Sequence, residues 1–485
     1  MTGTVTTDLL VVGAGTAGLP AAIEAARAGL RVTVVEQADR AGGTLWRSWA
    51  QMSAGGTALQ RSKGIRDSPE LHYDDVMRIS KNTADPGLVR LAVERAPETV
   101  DWLMSAGFDM DPDAPAILYF HEPYSLPRTY WGRNGGRSVL EVLLPRFERW
   151  CAAGSVEFLS SHTMTALHPD GPGRVRGASV TGPDGSITDI EAATVVLTSG
   201  GYAGNAELFP RLTGGAPLVG PGAPTSTGSG LRAAVDLGAR VRGGDLFLPT
   251  YGGVLLRDST AKTVPLDDFP VLTPQSRAPW EIHVNARGER FVAEDDASVD
   301  VRENALLDQP DLRFWVVYDE AIRRAAPALL PTWPDSELAA AFSDHPSFAT
   351  AATLAGLAEA AGIDPDGLAA TVSEYNAALA SGARDRFGRE HRPLPVAEPP
   401  FYAVLNHGST LKSPAGLAVD GRLRVLGVEG PFENLYAAGE VLGGSALSGK
   451  SFVSGMSVTP ALSFGRMLGA PAAESPGKAS YVEQV

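Results

Sequence analysis

Asp8-Leu9-Leu10-Val11-Val12 is an unbroken apolar run that ends in Gly13-Ala14-Gly15-Thr16-Ala17-Gly18, and the pattern continues through Ala21 and Ala22 to Arg31-Val32-Thr33-Val34-Val35-Glu36. A strand-sized run, a Gly-x-Gly-x-x-Gly turn, a helix and a second strand ending in an acid constrain the start of the chain to a βαβ unit. Each glycine has a separate physical task. Gly13 permits the tight turn, Gly15 lets backbone approach a pyrophosphate, and Gly18 lets the helix pack on the strand; the helix N-terminus then favours the phosphate charge. Glu36 stands where a carboxylate accepts a hydrogen bond from a ribose hydroxyl. The flanking strand and helix make this a dinucleotide-binding turn rather than a loose glycine loop.

At 485 residues the chain is too long for one ordinary core, so two domains are expected. Hydrophobic and charged contents of 44% and 20% are those of a soluble globular protein. The 41 basic and 56 acidic residues leave a net charge of -15, which argues against nucleic acid or an anionic membrane as a general partner. An anionic substrate at a local site is still compatible with that field. Cys151 is the only cysteine and forms no internal disulfide. No apolar run reaches the length of a membrane span, and the first strand starts too soon after Met1 for a signal peptide, so a cytoplasmic location is expected.

Downstream of Glu36, Ala41-Gly42-Gly43-Thr44 and Ser53-Ala54-Gly55-Gly56-Thr57 supply small residues where backbone can pass close to a flat ligand. Ser68 to Ala106 reads as largely helical, starting near Pro69, with Leu88, Leu91, Val93 and Leu103 as buried candidates. Tyr119, Phe120, His121, Tyr124, Tyr130 and Trp131 then crowd one stretch with Arg128, Arg133, Arg137 and Gly135-Gly136. Such crowding is either core, a domain contact or a pocket wall. Ser138 to Trp150 reads as a helix, Val156 to Leu159 as a strand, and Arg174 to Val180 with Ile187 to Ile190 as a hairpin around Pro183-Asp184-Gly185. Thr194 to Gly201 is a separate buried strand that returns to the first sheet, and Gly228-Ser229-Gly230 opens a helix with Leu231, Ala234 and Leu237 on its apolar face. Residues 248–405 are mixed and proline-containing, as in an inserted α+β domain between cofactor-domain segments 1–247 and 406–485. Leu435 to Glu440 is a strand ending in Gly-Glu, and Ser457 to Leu468 a helix whose partly positive N-terminus can stabilise a negative charge on a bound ligand.

Taken together these stretches resemble the flavoprotein family of soluble fumarate reductases and 3-ketosteroid Δ1-dehydrogenases. The matching residues are Gly13 to Gly18, Glu36, Gly42-Gly43-Thr44, Ser53 to Thr57, Ser68 to Leu71, Thr198 to Gly201, Arg290-Phe291-Val292, Phe401-Tyr402-Ala403 and Ala437 to Val441. The resemblance implies FAD as cofactor, an α/β Rossmann-like FAD-binding domain in two segments, and an inserted α+β capping domain. The positions expected to hold FAD are Gly13, Gly15, Thr16, Ala17, Gly18, Glu36, Gly43, Thr44, Ser53, Gly55, Gly56, Gly201, Gly439, Glu440, Ser457 and Val458. Arginines and histidines used by fumarate reductases fall approximately at Leu248, Ser298, the run Leu411-Lys412-Ser413 and the pair Ser451-Phe452, so the cationic clamp for a dicarboxylate is largely missing. Ketosteroid dehydrogenases resemble the chain at Tyr119, Gly136-Arg137-Ser138 and Pro460 to Gly465, but their tyrosine falls at Ser298, and Ser451 to Gly455 replaces their Tyr-Pro-Gly-Pro-Gly.

Removing vicinal hydrogens from a ketone needs a base for the α-proton, a donor for the developing enolate oxygen and flavin N5 for the hydride. Tyr119 and Tyr124, with His121 as an alternative, are the proton-transfer candidates, and the Gly455 amide is a candidate donor to the carbonyl. Lys412, Lys450, Asp295 and Asp296 read as surface charges; Lys450 is the candidate for binding a carbonyl or carboxylate, because Ser448-Gly449-Lys450-Ser451 precedes the terminal helix. The leading expectation is an FAD-dependent desaturase of a small-molecule cyclic or conjugated ketone, with an electron acceptor the residues do not name. Its rivals are a C=C reductase running the other way and a non-catalytic flavin electron carrier.

Overall fold

A computed structural model describes residues 4–470. The largest of its four sheets has eight strands and takes them from both ends of the chain. Its main path runs Arg424–Leu426, Pro431–Ala437, Ile187–Leu197, Thr4–Val12, Val32–Glu36, Val156–Ser160, and every pairing along it is parallel except that of Arg424–Leu426. Leu9, Leu10, Val11 and Val12 are all nearly inaccessible, as a parallel strand covered on both faces must be. Thr163–Pro169 and Val175–Thr181 add an antiparallel extension to Ile187–Leu197. The hairpin expected around Pro183-Asp184-Gly185 is present, but its second strand and the strand expected from Thr194 are one eleven-residue element, Ile187–Leu197. That strand pairs with the hairpin at one end and with Pro431–Ala437 at the other, so tertiary pairing joins what turn chemistry alone would divide.

The first and last helices seal this sheet together. Gly18–Arg27 lies against Val458–Gly469 so closely that a methyl at Gly465 or Gly469 would fall 2.2 or 2.1 Å from the backbone oxygens of Ala17 and Ala21. Two glycines four apart on one helix face thus bring two backbones into contact. The helical stretch expected over Ser68–Ala106 is two helices, Pro69–Ile79 and Pro86–Ser105. Each is capped where the sequence would cap it: Leu71 N donates to Ser68 Oγ at 3.3 Å, and Leu88 N to Asp85 Oδ1 at 2.8 Å, with proline at the first helical position. Lys81 and Asn82, in the turn between them, both have left-handed backbones, at φ 55° and 57°.

A four-stranded antiparallel sheet, in the order Ile282–Val284, Arg313–Asp319, Phe401–His407, Phe348–Ala351, is built entirely from the middle of the chain. Val254, Phe314, Val316, Leu357 and Val404 belong to a core of their own, separate from the two cores around the large sheet. The helix Val299–Leu307 leads from this region back toward the C-terminal segment. None of the described helices is long and apolar enough to cross a membrane.

Candidate active site

The glycine turn is fixed by what surrounds it. Gly13 has φ 103°, and a Cβ there would stand 2.5 Å from Thr198 O; a Cβ on Gly18 would stand 1.8 Å from Gly13 O. Gly15 meets nothing closer than Gly43 Cα at 3.9 Å, so two glycines from separate loops face each other across a slot. Glu36 is buried and accepts from Ala14 N at 2.8 Å and Ala38 N at 2.9 Å, each oxygen keeping a lone pair for a ligand hydroxyl.

Several of the remaining cofactor candidates touch one another or one another's neighbours. A methyl on Gly201 would strike Ser413 Oγ and Glu440 Oε1, at 2.2 and 2.5 Å, and Ser413 N donates to Glu440 Oε1 at 2.8 Å. Burial raises the Glu440 carboxyl. Gly439 faces Ala17, while Gly455, at φ 74°, touches the backbone of Met52 and Ser53. Ser53 N donates to Thr459 Oγ1 at 2.8 Å, which sets the glycine loop at the N-terminus of Val458–Gly469, where Ser457 makes no side-chain cap. Thr459 N donates to Gly455 O at 3.2 Å and position 460 is proline, so the Val458 amide is the first-turn N–H left to face negative charge. Ser53 Oγ and Ser199 Oγ are buried without partners. Glycines that leave no room for a methyl, a ribose-competent acid and orphaned hydroxyls fit the polar, flat and phosphate-bearing parts of FAD.

A second cluster gathers beside the groove, and its residues come from distant segments. Lys412 lies across Gly444, where a methyl would meet its Cδ at 2.7 Å; its Nζ is 3.2 Å from Ser448 Oγ and 4.5 Å from the Phe452 ring centroid. His121 stacks on the same Phe452 ring at 4.8 Å. Leu248, Lys412, Ser448, Ser451 and Phe452 line a cavity of about 20 Å³, and Lys412 is its one charged wall residue. Desolvation lowers the Lys412 ammonium to about 8, against the opposing pull of Glu440 and Glu303. Desolvation, with Lys412 adding to it, holds His121 down to about 3.

From the helix Val299–Leu307, Asp300 accepts from Ser451 Oγ at 2.5 Å and pairs with Lys81 at 3.3 Å. One turn on, Glu303 is 2% exposed, and burial together with the Asp300 charge raises its carboxyl well above the ordinary range. Ser298 caps this helix and donates to Glu122 Oε2 at 2.9 Å. Leu248, Ser298, Lys412, Ser451 and Phe452, singled out in sequence as departures from family motifs, therefore surround one region.

The catalytic candidates read from sequence separate. His121 belongs to this cluster. Tyr119 is 44% exposed. Tyr124 is buried with its hydroxyl donating to Ser454 O at 2.5 Å and lying 3.4 Å from His72 Nε2; burial raises the phenol, and the bond ties Tyr124 to the backbone beside Gly455. Lys450 is exposed, and only its backbone N–H is engaged, with Thr83 Oγ1. The lysine at the cavity is Lys412, which sequence placed among the surface charges. Lys81, Asp300 and Glu303 were missed, although Asp300 and Glu303 stand three apart, the spacing of one helix face.

The family described as FAD binding domain matches residues 8–451. A probable fumarate reductase of Shewanella frigidimarina is 28% identical over 478 residues, 97% of this chain and 75% of that protein. A digoxin reductase of Eggerthella lenta is 25% identical over 507 residues, 96% of this chain and 86% of that protein. The solved 3-ketosteroid-delta4-(5alpha)-dehydrogenase of Rhodococcus jostii, in complex with 4-androstene-3,17-dione, is similar at TM-score 0.70 and 25% identity, with 97% of each chain covered.

Proposed function

The chain belongs to the FAD binding domain family and is an FAD-dependent oxidoreductase of CH–CH bonds, and we propose that it desaturates a neutral cyclic or conjugated ketone next to the carbonyl. The observation that carries this reading is the single cation of the cavity. Lys412 stands there with Glu303 and Asp300 behind it and the Ser451-Phe452 pair approximately where the resemblance expects an arginine. The Lys81 ammonium is already paired with Asp300, so two carboxylates of a substrate would find the Lys412 ammonium alone, which leaves one of them unmatched in a desolvated site. A neutral carbonyl compound meets no such penalty. The diketone bound by the Rhodococcus neighbour, and a relative named for digoxin, agree with that class.

Bound FAD supplies the hydride acceptor. Lys412, as the neutral amine, takes the α-proton; a buried amine with its midpoint near 8 is matched to that task. Phe452 and His121 provide a flat apolar wall, and the Phe452 ring limits where the amine can reach. Segment 248–405 acts as the cap: its Ser298 and Asp300 reach Glu122 and Ser451 of the flanking segments and exclude water from the reacting face.

The opposite direction, reduction of an enone, is favoured by one observation: below its midpoint Lys412 is an ammonium and donates rather than accepts. The two are separated by mixing the oxidised holoenzyme anaerobically with a ketone panel. Bleaching of the flavin supports desaturation; no bleaching by any ketone, with reoxidation of the reduced flavin by an enone, would sink it. The non-catalytic carrier falls away with membership of an oxidoreductase family.

A further inference from the structure

We infer that Ser451 and Asp300 form a proton line from Lys412 to solvent, with Lys81 holding its outer mouth. The inference rests on the reading of Lys412 as the group that exchanges the α-proton. Ser451 and Lys412 are walls of the same cavity, whose volume of about 20 Å³ accommodates one water. Lys412, Ser448 and Ser451 are polar walls of that cavity and would supply the partners a water there requires. Outward from the cavity, Ser451 Oγ donates to Asp300 Oδ2 at 2.5 Å. The same oxygen lies 3.3 Å from Lys81 Nζ, and the Lys81 side chain is 50% exposed against 5% for Asp300. The other oxygen, Asp300 Oδ1, is buried without a partner, as fits a carboxyl that must take up and release a proton.

The backbone supports this assignment independently. Lys81 and the next residue, Asn82, both adopt left-handed conformations that side chains other than glycine enter at a cost. The turn between Pro69–Ile79 and Pro86–Ser105 thereby brings an ammonium to a carboxylate on the helix Val299–Leu307. The groups facing Asp300 are Lys81 from that turn, Ser451 from the C-terminal segment and Glu303 from its own helix; those acting on Lys412 are Glu440 and Glu303, and Lys412 in turn acts on His121.

The proton balance is simple. Lys412, having gained the α-proton, gives a proton to the water; the water gives one to Ser451 Oγ as that hydroxyl passes its own to Asp300 Oδ2. Asp300 becomes neutral and releases the proton to solvent at the Lys81 end, and Lys81 stays an ammonium throughout. Run backward, the same line recharges Lys412 for reduction.

The test is the exchange of the Lys412 Nζ hydrogens with solvent, followed by NMR in the 15N-lysine-labelled holoenzyme and assigned by the signal lost in Lys412→Arg. Asp300→Asn and Ser451→Ala are each expected to slow the exchange about tenfold, and Lys81→Met, a change at the surface, to slow it by less. Flavin content and melting temperature identify any variant that fails to fold, and a mere interdomain latch would shift the melting temperature while leaving the exchange rate alone. An unchanged rate in both Asp300→Asn and Lys81→Met overturns the line. Slowed exchange in an enzyme that no ketone bleaches keeps the line and defeats the desaturase reading; bleaching with unchanged exchange does the reverse.

Discussion

The cofactor groove and the cavity beside it are built by opposite means. In the groove, backbone does the work: Gly13, Gly18, Gly201 and Gly455 each stand where a methyl would overlap neighbouring atoms, so composition and geometry imply each other. At the cavity, side chains do it, and they come from Lys81, Asp300, Lys412 and Ser451, residues that are unremarked one at a time. The groove therefore tolerates almost no substitution but says little about substrate. The cavity is open to substitution, and each change there redirects chemistry.

That contrast can be broken by experiment. Gly13→Ala combines a left-handed φ with a Cβ 2.5 Å from Thr198 O, a strain of roughly 3 kcal/mol or more, and is expected to yield protein without bound flavin; flavin absorbance per protein measures it. Lys412→Met is expected to keep the flavin while lowering kcat by about 10²–10⁴-fold, read by stopped-flow bleaching. A flavin-free Lys412→Met, or a flavin-loaded Gly13→Ala, would erase the distinction between the two regions.

The pH profile sharpens it further. Because the Lys412 midpoint is lowered to about 8, the neutral amine is the minor form below that pH. Desaturation is expected to rise about tenfold per pH unit up to the midpoint and then level, whereas reduction driven by the ammonium levels below it and falls above. A flat profile in either direction removes Lys412 from proton transfer. The smallest effect belongs to Tyr119→Phe: with the side chain 44% exposed, the bleaching rate is expected to stay within about twofold of the parent.

Much of the groove was legible in sequence because steric necessity leaves a pattern: the turn from Gly13 to Gly18, the acid at Glu36 and the glycines near Ser53 and Gly439 are all spaced by local chain geometry. The positions around Ser298, Lys412, Ser451 and Phe452 could be noticed as departures, but which of them faces the reacting space depends on tertiary folding. Lys412 and Lys450 illustrate this. Both are lysines near glycines and serines; one lies across Gly444 into a cavity and the other points outward. Lys81 and Asp300 meet only because a strained turn and a helix from separate segments converge. Ile187–Leu197 was divided in sequence because its two ends have different neighbours, a fact of sheet topology rather than of propensity.

The large sheet sets a timetable. Strand Ile187–Leu197 obtains its parallel neighbour Pro431–Ala437 only after the whole four-stranded sheet, Ile282–His407, has been synthesised. At roughly 5–20 residues per second on the ribosome that is a wait on the order of tens of seconds. Val458–Gly469, which closes the groove against Gly18–Arg27, arrives later still. Flavin loading is thus a late step in the life of each molecule, and a nascent chain carries its substrate-side sheet before it has a complete place to put the cofactor.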